Sequence, residues 1–524
     1  MRLEIIILNK RVVMKRLFSF ILILFAMNLT HTLGQPFVLK AENYKHYISY
    51  FNKMEDENII QAIPNKEAWT WLKENIPLFE CPQENFVELF YYRWWTLRKH
   101  IKKTEQGFVF TEFLVPRSYA DKYNLISSAL GHHIYESRWL HDEKYLTQNL
   151  QIWYRGNEGK PLKRLRFYSS WNIDAIYNRY KVNKNKEFLL NLLPDLEADY
   201  LAWEQEKKSK SGLYWQFDVR DAMEETISGG RKEKNARPSI NAYMYGNAKA
   251  LAAIELMATN QEKSNFYQQK ADTIKQLVQQ KLWNQDLQFF DVLKEKDTLA
   301  KVREEIGFLP WYFNMPDSNF NIAWKTTNDV KTFSAPYGIT TADRSHPQFR
   351  THGCCKCEWD GAVWPFATAQ TLTGLANLLN NPTVKPIANT DYFNILQTLV
   401  ESQYHRGRPY IGEYLDETTG YWLKGDEERS RYYNHSTFND LIITGLIGLR
   451  PRADEILEIN PLVPQDKWDW FCLDDIRYHG KTVTILWDKD GTKYKKGQGL
   501  LVFVNGKKIA SSKKIEKLTA NLPL

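Results

Sequence analysis

Residues 240–258 read INAYMYGNAKALAAIELMA and carry a pattern that indicates the fold class. Apolar side chains recur in it at intervals of three and four residues over about five turns, which is typical of an α-helix that packs against other helices. Pro238 stands just before the stretch, and Ser239 is a residue type that caps helix N-termini well. The pattern therefore predicts one long helix in the middle of the chain.

The same spacing recurs on both sides of this helix. Ten stretches carry it in all: residues 86–101, 125–140, 145–154, 173–180, 186–203, 240–258, 266–282, 362–379, 392–403 and 437–449. Less distinct stretches near Trp71 and Ile306 bring the total close to twelve. Strands do not alternate with these helices, which argues against a parallel α/β fold. We therefore predict a mainly α protein in which six helical hairpins form an (α/α)6 toroid over residues 35–454, although no sequence repeat is visible.

The pattern changes after Arg450. Residues 482–488 (TVTILWD) alternate between apolar and polar side chains, and residues 499–504 (GLLVFV) lead into Asn505-Gly506. Asn-Gly between two apolar runs is a strong signal for a tight β-hairpin, and Asp490-Gly491 is a second turn signal. Residues 455–524 are therefore predicted to form a small antiparallel β-domain that packs on the helices.

The N-terminus resembles a secretion signal. Lys15 and Arg16 precede the apolar run FSFILILFAM at residues 18–27, and the small-residue exit THTLG follows at residues 30–34. This order predicts a signal peptide over residues 1–34, and the run is too short for a permanent transmembrane helix. We expect a secreted or periplasmic protein without a membrane or lipid anchor; the sequence does not indicate its oligomeric state.

Composition narrows the functional classes. The chain has 524 residues, a net charge of +8 and no clustered basic face of the kind that binds nucleic acid. Its 18 Trp residues suit a sugar-binding cleft or simply a large aromatic core. Of the five cysteines, Cys354, Cys355 and Cys357 form a cluster. A zinc site there would need a further ligand and lacks the usual paired spacing, so packing or a local disulfide is the favoured interpretation and no metal or cofactor is expected.

Three loop segments combine carboxylates with aromatic residues and glycines. They are SGLYWQFDVRDAMEETISGG at residues 211–230, CEWDGAVWP at residues 357–365 and GRPYIGEYLDETTGYW at residues 407–422. Long mixed loops of this kind often carry function. An inverting glycosidase needs one carboxyl group to protonate the leaving oxygen and a second to activate water. Each segment also has a structural interpretation, as a solvated acidic loop, a helix cap or an ordinary turn.

These segments, in this order, resemble the clan of (α/α)6 hydrolases that contains trehalases, processing α-glucosidase I and bacterial mannosylglycerate hydrolases. The mannosylglycerate hydrolase-like bacterial proteins are the most similar part of that clan. The resemblance covers roughly residues 85–450. It implies an inverting glycoside hydrolase that releases an α-linked glucose-, mannose- or rhamnose-like sugar.

The resemblance also implies residue roles. Val219-Arg220-Asp221 falls on the Gly-Arg-Asp of the clan's acid motif, so Asp221 takes the role of general acid, while Phe217-Asp218 replaces Glu-Ser and leaves Asp218 as a rival. Glu413 takes the role of general base, although Leu415-Asp416 replaces the clan's Asn-Pro. The remaining expected sugar contacts come from the aromatic and basic residues of the same motifs and of the early YYRWW segment: Tyr92, Arg93, Trp94, Trp215, Arg220, Trp359, Asp360 and Trp364.

Two other functions stay open on the sequence. A polysaccharide lyase or sugar epimerase on the same toroid would rely on a base such as His346, His352 or His405 instead of a carboxylate pair. A non-catalytic glycan-binding protein would need neither Asp221 nor Glu413.

Overall fold

The computed structural model describes residues 37–351 and 357–523. The predicted signal peptide lies outside these residues, as do His352, Cys354 and Cys355. Twelve α-helices occur in the described part: α1 Lys45–Phe51, α2 Asn65–Asn75, α3 Glu84–Lys99, α4 Leu130–Ser137, α5 Lys144–Arg155, α6 Asn172–Asn183, α7 Lys186–Lys207, α8 Pro238–Met257, α9 Gln261–Lys281, α10 Leu309–Tyr312, α11 Pro365–Asn380 and α12 Asn389–Ser402. A π-helix spans Leu441–Leu446.

All ten predicted helical stretches contain helix, and α2 and α10 account for the two less distinct ones. A 3-10 helix at Ser318–Asn328 was not predicted. Its side chains follow a tighter spiral than the 3.6-residue period, so the apolar spacing that marks the other helices is absent from it.

Two kinds of helix alternate along the chain. Helix α8, which contains the stretch INAYMYGNAKALAAIELMA, is buried on almost every face, and α4 is buried throughout. Helix α9 instead buries one stripe, from Ser264 to Val278, and leaves the rest to solvent. A helix that is apolar all round belongs in the core, and an amphipathic helix belongs on the outside of it.

The buried helices contact one another in succession. Helix α4 contacts α6, α6 contacts α8, α8 contacts α10, α10 contacts α11, and α11 contacts the π-helix. The π-helix returns to α4, because the Glu136 carboxylate accepts hydrogen bonds from the amides of Phe438, Asn439 and Asp440, and Arg138 pairs with Asp440 at 2.7 Å. A carboxylate at a helix N-terminus satisfies amides that have no partner within the helix.

The C-terminal part is built from antiparallel strands. Eighteen strands occur in the described residues: β1 Leu78–Glu80, β2 Ile101–Thr104, β3 Gly107–Phe110, β4 Trp215–Gln216, β5 Asn235–Ala236, β6 Trp283–Asn284, β7 Phe289–Phe290, β8 Ser334–Ala335, β9 Gly338–Ile339, β10 Tyr404–His405, β11 Arg408–Pro409, β12 Leu449–Arg450, β13 Ile456–Ile459, β14 Trp470–Tyr478, β15 Lys481–Asp488, β16 Gly499–Val504, β17 Lys507–Ser512 and β18 Leu518–Asn521. The largest sheet has the order β1-β14-β15-β16-β17, and a second has the order β12-β13-β18.

The predicted Asn-Gly hairpin connects β16 and β17. Asn505 and Gly506 both have positive φ, at 49° and 76°, as a two-residue hairpin turn requires. An unpredicted strand also joins this sheet: β1, which precedes helix α3, pairs with β14 through Leu78 and Asp474. The N-terminal region is therefore tied to the C-terminal sheet. Within the described ranges, no helix is long and apolar enough to cross a membrane.

Candidate active site

A cavity of about 520 Å³ lies at the N-terminal ends of the buried helices. Ser128, Tyr168, Trp364 and His435 line it, and each stands just before, or in the first turn of, a buried helical segment. The loops that lead into these helices therefore form its walls. All three segments singled out in the sequence contribute to it: residues 211–230, 357–365 and 407–422.

Glu224 brings the first carboxylate of residues 211–230 into this cavity. It stands between Ala222 and Glu225, whose φ angles of 60° and 68° are unusual for residues with a Cβ. Burial raises the pKa of Glu224 to about 7, and the negative charges of Glu413 and Asp218 add to this rise. A carboxyl group with such a pKa carries its proton at neutral pH for a substantial part of the time.

Asp221 lies behind this wall and is not among the residues that line the cavity. It is 2% exposed, and its Oδ2 accepts hydrogen bonds from both Arg237 Nε, at 2.8 Å, and the Ser239 hydroxyl, whereas its Oδ1 is buried and has no hydrogen-bond partner in the described part of the chain. Asp218 is also buried, and its carboxylate accepts from the amide of Val219. The catalytic role of Asp221 stays a prediction, and its contacts are those of a residue that holds the loop against the start of α8.

Glu413 supplies a second carboxylate to the cavity, as predicted for the base. One oxygen lies 3.4 Å from Lys424 Nζ and 3.3 Å from Arg429 Nη2. The Glu413 loop is joined to residues 357–365 because Val363 and Leu415 exchange two backbone hydrogen bonds at 3.0 Å. Two cations therefore lie beside this one buried carboxylate.

Stacked aromatic rings form another wall. The Trp359 and Trp364 rings stack with centroids 4.4 Å apart, and Trp364 stacks in turn on Tyr414 at 4.6 Å. Trp359 Nε1 is buried and has no hydrogen-bond acceptor within the described part of the chain. Flat rings beside unused polar atoms suit a sugar, which has apolar ring faces and hydroxyl edges.

Several charged residues face the cavity, and two of them are not predicted from the sequence. Glu112 is a third carboxylate, and Arg117 and Arg220 are cations whose guanidinium groups lie over the rings of Phe113 and Phe167 at 5.5 and 3.4 Å. Arg220 had been predicted as a sugar contact, but Glu112 and Arg117 had not. Nothing in their local pattern marks them, since they follow a short surface hairpin that meets the other loops only in three dimensions.

Other predicted contacts lie elsewhere. Arg93 is buried and donates to Gln403 Oε1 at 3.1 Å and to the Ser436 carbonyl at 2.7 Å, so it supports the loop that carries His435. The remaining ones, which are also absent from the cavity lining, are Tyr92, Trp94, Trp215 and Asp360. Trp359 and Trp364 do line the cavity.

Cys357 is the one cysteine of the Cys354–Cys357 cluster that the structure describes. Its sulfur lies 3.9 Å from Lys424 Nζ and it lines the cavity. Burial raises the pKa of its thiol well above the usual range. Among residues 37–351 and 357–523, no group of three or more potential ligands has the arrangement of a metal site.

A larger cavity, of about 670 Å³, lies toward the C-terminal ends of the same helices. Its two carboxylates are already engaged, because Asp440 pairs with Arg138 and Asp174 accepts from the Tyr135 hydroxyl at 2.8 Å. None of the three predicted segments reaches it. The smaller cavity is therefore the candidate active site.

The chain is similar to known glycoside hydrolases. The family model described as "Mannosylglycerate hydrolase MGH1-like glycoside hydrolase domain" matches residues 122–436, which include the residues that supply most of the cavity. The chain belongs to this glycoside hydrolase family. The model for the C-terminal domain of glycosyl hydrolase family 65 matches residues 449–510 of this MGH1-like hydrolase, the region of the antiparallel sheets.

The chain is also similar to several solved structures. One named "Sialidase" is 59% identical, with a TM-score of 0.92 over 93% of this chain and 45% of its own, so the MGH1-like hydrolase spans less than half of that relative. The GH63 mannosylglycerate hydrolase of Thermus thermophilus, in complex with glucose, is 13% identical, with a TM-score of 0.51 over 68% of this chain and 99% of its own. The GH78 rhamnosidase of Bacillus sp. GL1 is 10% identical, with a TM-score of 0.57 over 79% of this chain and 40% of its own. The last two likenesses concern the fold alone.

Proposed function

We propose that this glycoside hydrolase inverts an α-linked sugar, with Glu224 as general acid and Glu413 as general base. The observation that carries the proposal is that these two carboxylates face one cavity from opposite electrostatic surroundings. Burial and nearby negative charge raise the pKa of Glu224, whereas Glu413 lies beside two cations. Carboxyl groups whose environments separate their protonation states divide naturally into an acid and a base.

This proposal moves the acid role from Asp221 to Glu224, three residues along the same loop. The reason is access: a general acid must reach the leaving oxygen, and Asp221 is engaged by Arg237 and Ser239 away from the cavity. Water activated by Glu413 would then attack the anomeric carbon from the face opposite the departing group.

The arrangement of helices supports the finer fold assignment. We infer that the succession of contacts from α4 through α6, α8, α10 and α11 to the π-helix, and from there back to α4, is the inner ring of an (α/α)6 toroid. Helices α3, α5, α7, α9 and α12 and the 3-10 helix Ser318–Asn328 alternate with them in sequence and would form the outer ring. Secretion through the predicted signal peptide of residues 1–34 is part of the same proposal.

The substrate is proposed at the level of its class. The stacked Trp359, Trp364 and Tyr414 favour a pyranose ring, and the similar solved structures include a mannosylglycerate hydrolase and a rhamnosidase. We therefore propose a glucose-, mannose- or rhamnose-like sugar in α-linkage. Hydrolysis is favoured over lyase or epimerase chemistry by the family, and His346 and His405 are not among the cavity-lining residues.

Two measurements test the mechanism. A screen of α-glucosides, α-mannosides and α-rhamnosides should find turnover that falls about 10²–10⁴-fold in both Glu224→Gln and Glu413→Gln. Glu225→Gln is the matched control, because Glu225 is the next residue and pairs with Arg231 outside the cavity. Near-normal turnover in either variant would remove that residue from the mechanism.

Stereochemistry is the second measurement. Proton NMR of the first-formed product should show the anomeric configuration opposite to that of the substrate. Retention would require a nucleophilic carboxylate in place of a base and would overturn the inverting mechanism, though not the family.

A further inference from the structure

Glu112 is a cavity-lining carboxylate that the proposed mechanism does not use. It follows strand β3 and is 4% exposed. Its main chain is joined to the segment before the π-helix, because the Asn434 amide donates to the Glu112 carbonyl at 3.1 Å and the Asn434 side chain donates to the Thr111 carbonyl at 3.1 Å. Glu112 is therefore held rigidly between two walls of the site.

Two hydroxyl groups fix the carboxylate itself. The Tyr433 hydroxyl donates to Oε1 at 2.7 Å, and the Ser128 hydroxyl donates to Oε2 at 3.0 Å. A carboxylate offers about four acceptor positions, so one remains on each oxygen. Because Glu112 lines the cavity, a ligand there can reach these remaining positions.

The surroundings of Glu112 differ from those of the proposed acid. Burial raises its pKa to about 7, with Glu413 and Glu224 contributing through their charge. The Glu224 carboxylate accepts from its own backbone amide, whereas both oxygens of Glu112 accept from side-chain hydroxyls. A carboxyl group fixed at both oxygens is suited to binding and poorly suited to moving a proton onto a leaving group.

The cavity also offers the complementary donor. Trp359 lines the same space, and its Nε1 is buried and has no acceptor in the described ranges. A sugar hydroxyl both donates and accepts hydrogen bonds, and a buried polar atom that lacks a partner in the free protein is satisfied when such a ligand binds. Acceptor positions on Glu112 and a free donor on Trp359 together match a polyhydroxylated ring.

We infer that Glu112 is a specificity-determining residue that hydrogen-bonds two adjacent hydroxyls of the sugar in the cavity. The inference rests on the proposed function. Two oxygens on one carbon match hydroxyls on neighbouring ring carbons, so the substrate class is narrowed to glycosides with a free vicinal diol on the bound sugar. Tyr433 and Ser128 are positioning residues for this contact.

The test compares hydroxyl groups with the carboxylate. The substrates are the 4-nitrophenyl α-glycoside that the wild type cleaves best and its monodeoxy analogues. Glu112→Gln should lower kcat/KM about 10- to 100-fold on the parent glycoside, because a hydrogen bond to a charged group is lost. The kcat/KM of the wild type should fall by a similar factor when the parent glycoside is replaced by one or two of the deoxy analogues. On these analogues, Glu112→Gln should lower kcat/KM little further.

Controls separate binding from folding. Glu105→Gln, on the exposed turn between β2 and β3, should change neither turnover nor discrimination. Tyr433→Phe and Ser128→Ala keep the Glu112 carboxylate but each removes one of the hydroxyls that hold it. Each should reduce the ratio of kcat/KM between the parent and the deoxy substrates. If Glu112→Gln fails to fold, these two variants still decide the matter.

Calorimetry with Glu224→Gln, with and without Glu112→Gln, measures binding of the parent sugar without turnover. Weaker binding in the double variant supports the inference. A wild type that cleaves glycosides while Glu112→Gln keeps full deoxy discrimination overturns this inference alone. A wild type that neither cleaves nor binds any sugar of the panel overturns the proposed function and this inference together.

Discussion

The loops that carry Glu224 and Glu413 give these two carboxylates different electrostatic surroundings. Arg237 pairs with Asp221 of residues 211–230, whereas burial and neighbouring negative charge raise the pKa of Glu224 in the same segment. In residues 407–422 and the segment that follows, Lys424 and Arg429 both approach Glu413. Under the proposed mechanism, the position of nearby cations decides which carboxylate is the acid and which is the base.

The largest expected effect separates the two carboxylates by leaving group. An α-glycosyl fluoride needs little protonation to depart, so Glu224→Gln should cleave it within about tenfold of the wild-type rate while losing about 10²–10⁴-fold on an alkyl glycoside. Glu413→Gln should be equally slow on both, since water activation is needed for each. Initial rates of fluoride release measure this. Equal losses of Glu224→Gln on both substrates would break the assignment of the acid.

Asp221→Asn tests the other half of the comparison. Removing the charge leaves the Arg237 guanidinium buried without its carboxylate, which should lower the free energy of unfolding by about 3–5 kcal/mol. Urea denaturation followed by fluorescence measures the loss. The folded fraction should keep turnover within about tenfold of wild type. A stable but inactive Asp221→Asn would return the acid role to Asp221.

The sequence predicted the helices and the hairpin better than the contacts between distant segments. Helices such as α8 and the Asn505-Gly506 hairpin follow from local patterns, because spacing and turn chemistry act over a few residues. The pairing of Asp221 with Arg237 spans 16 residues, and the contact of Glu112 with Tyr433 spans 321. Such contacts arise only when loops from different helices meet, so local patterns do not determine which carboxylate of residues 211–230 faces the cavity.

The pH dependence of kcat/KM should show the protonation of Glu224. A general acid works only while it holds its proton, so turnover should fall about tenfold per unit as pH rises above the Glu224 pKa of about 7. Glu112 titrates in the same range, and interacting carboxyls share their apparent pKa values, so the limb belongs to the pair. The alkaline limb should therefore be present for an alkyl glycoside in wild type and absent for the glycosyl fluoride. An alkaline limb of equal depth on both substrates would assign it to another group.

The smallest expected effect is on stability, and it has a definite sign. The folded-state pKa of Glu224, about 7, lies above its ordinary value of 4.5, so the folded state binds this proton more tightly than the unfolded state. The wild type therefore loses stability as pH rises from about 4.5 to about 7, and the full penalty remains at pH 8. Glu224→Gln carries no charge to bury. It should be more stable than wild type by about 1–2 kcal/mol at pH 8, after allowance for partial solvent screening, and indistinguishable from it at pH 4. Urea denaturation at both pH values measures the difference.

Glu225→Gln should stay within about 0.5 kcal/mol of wild type at pH 8, because its pair with Arg231 is partly exposed. A Glu224→Gln variant that is less stable than wild type at pH 8 would mean that the Glu224 charge stabilises the folded protein. The electrostatic basis for assigning Glu224 as the acid and Glu413 as the base would then be lost.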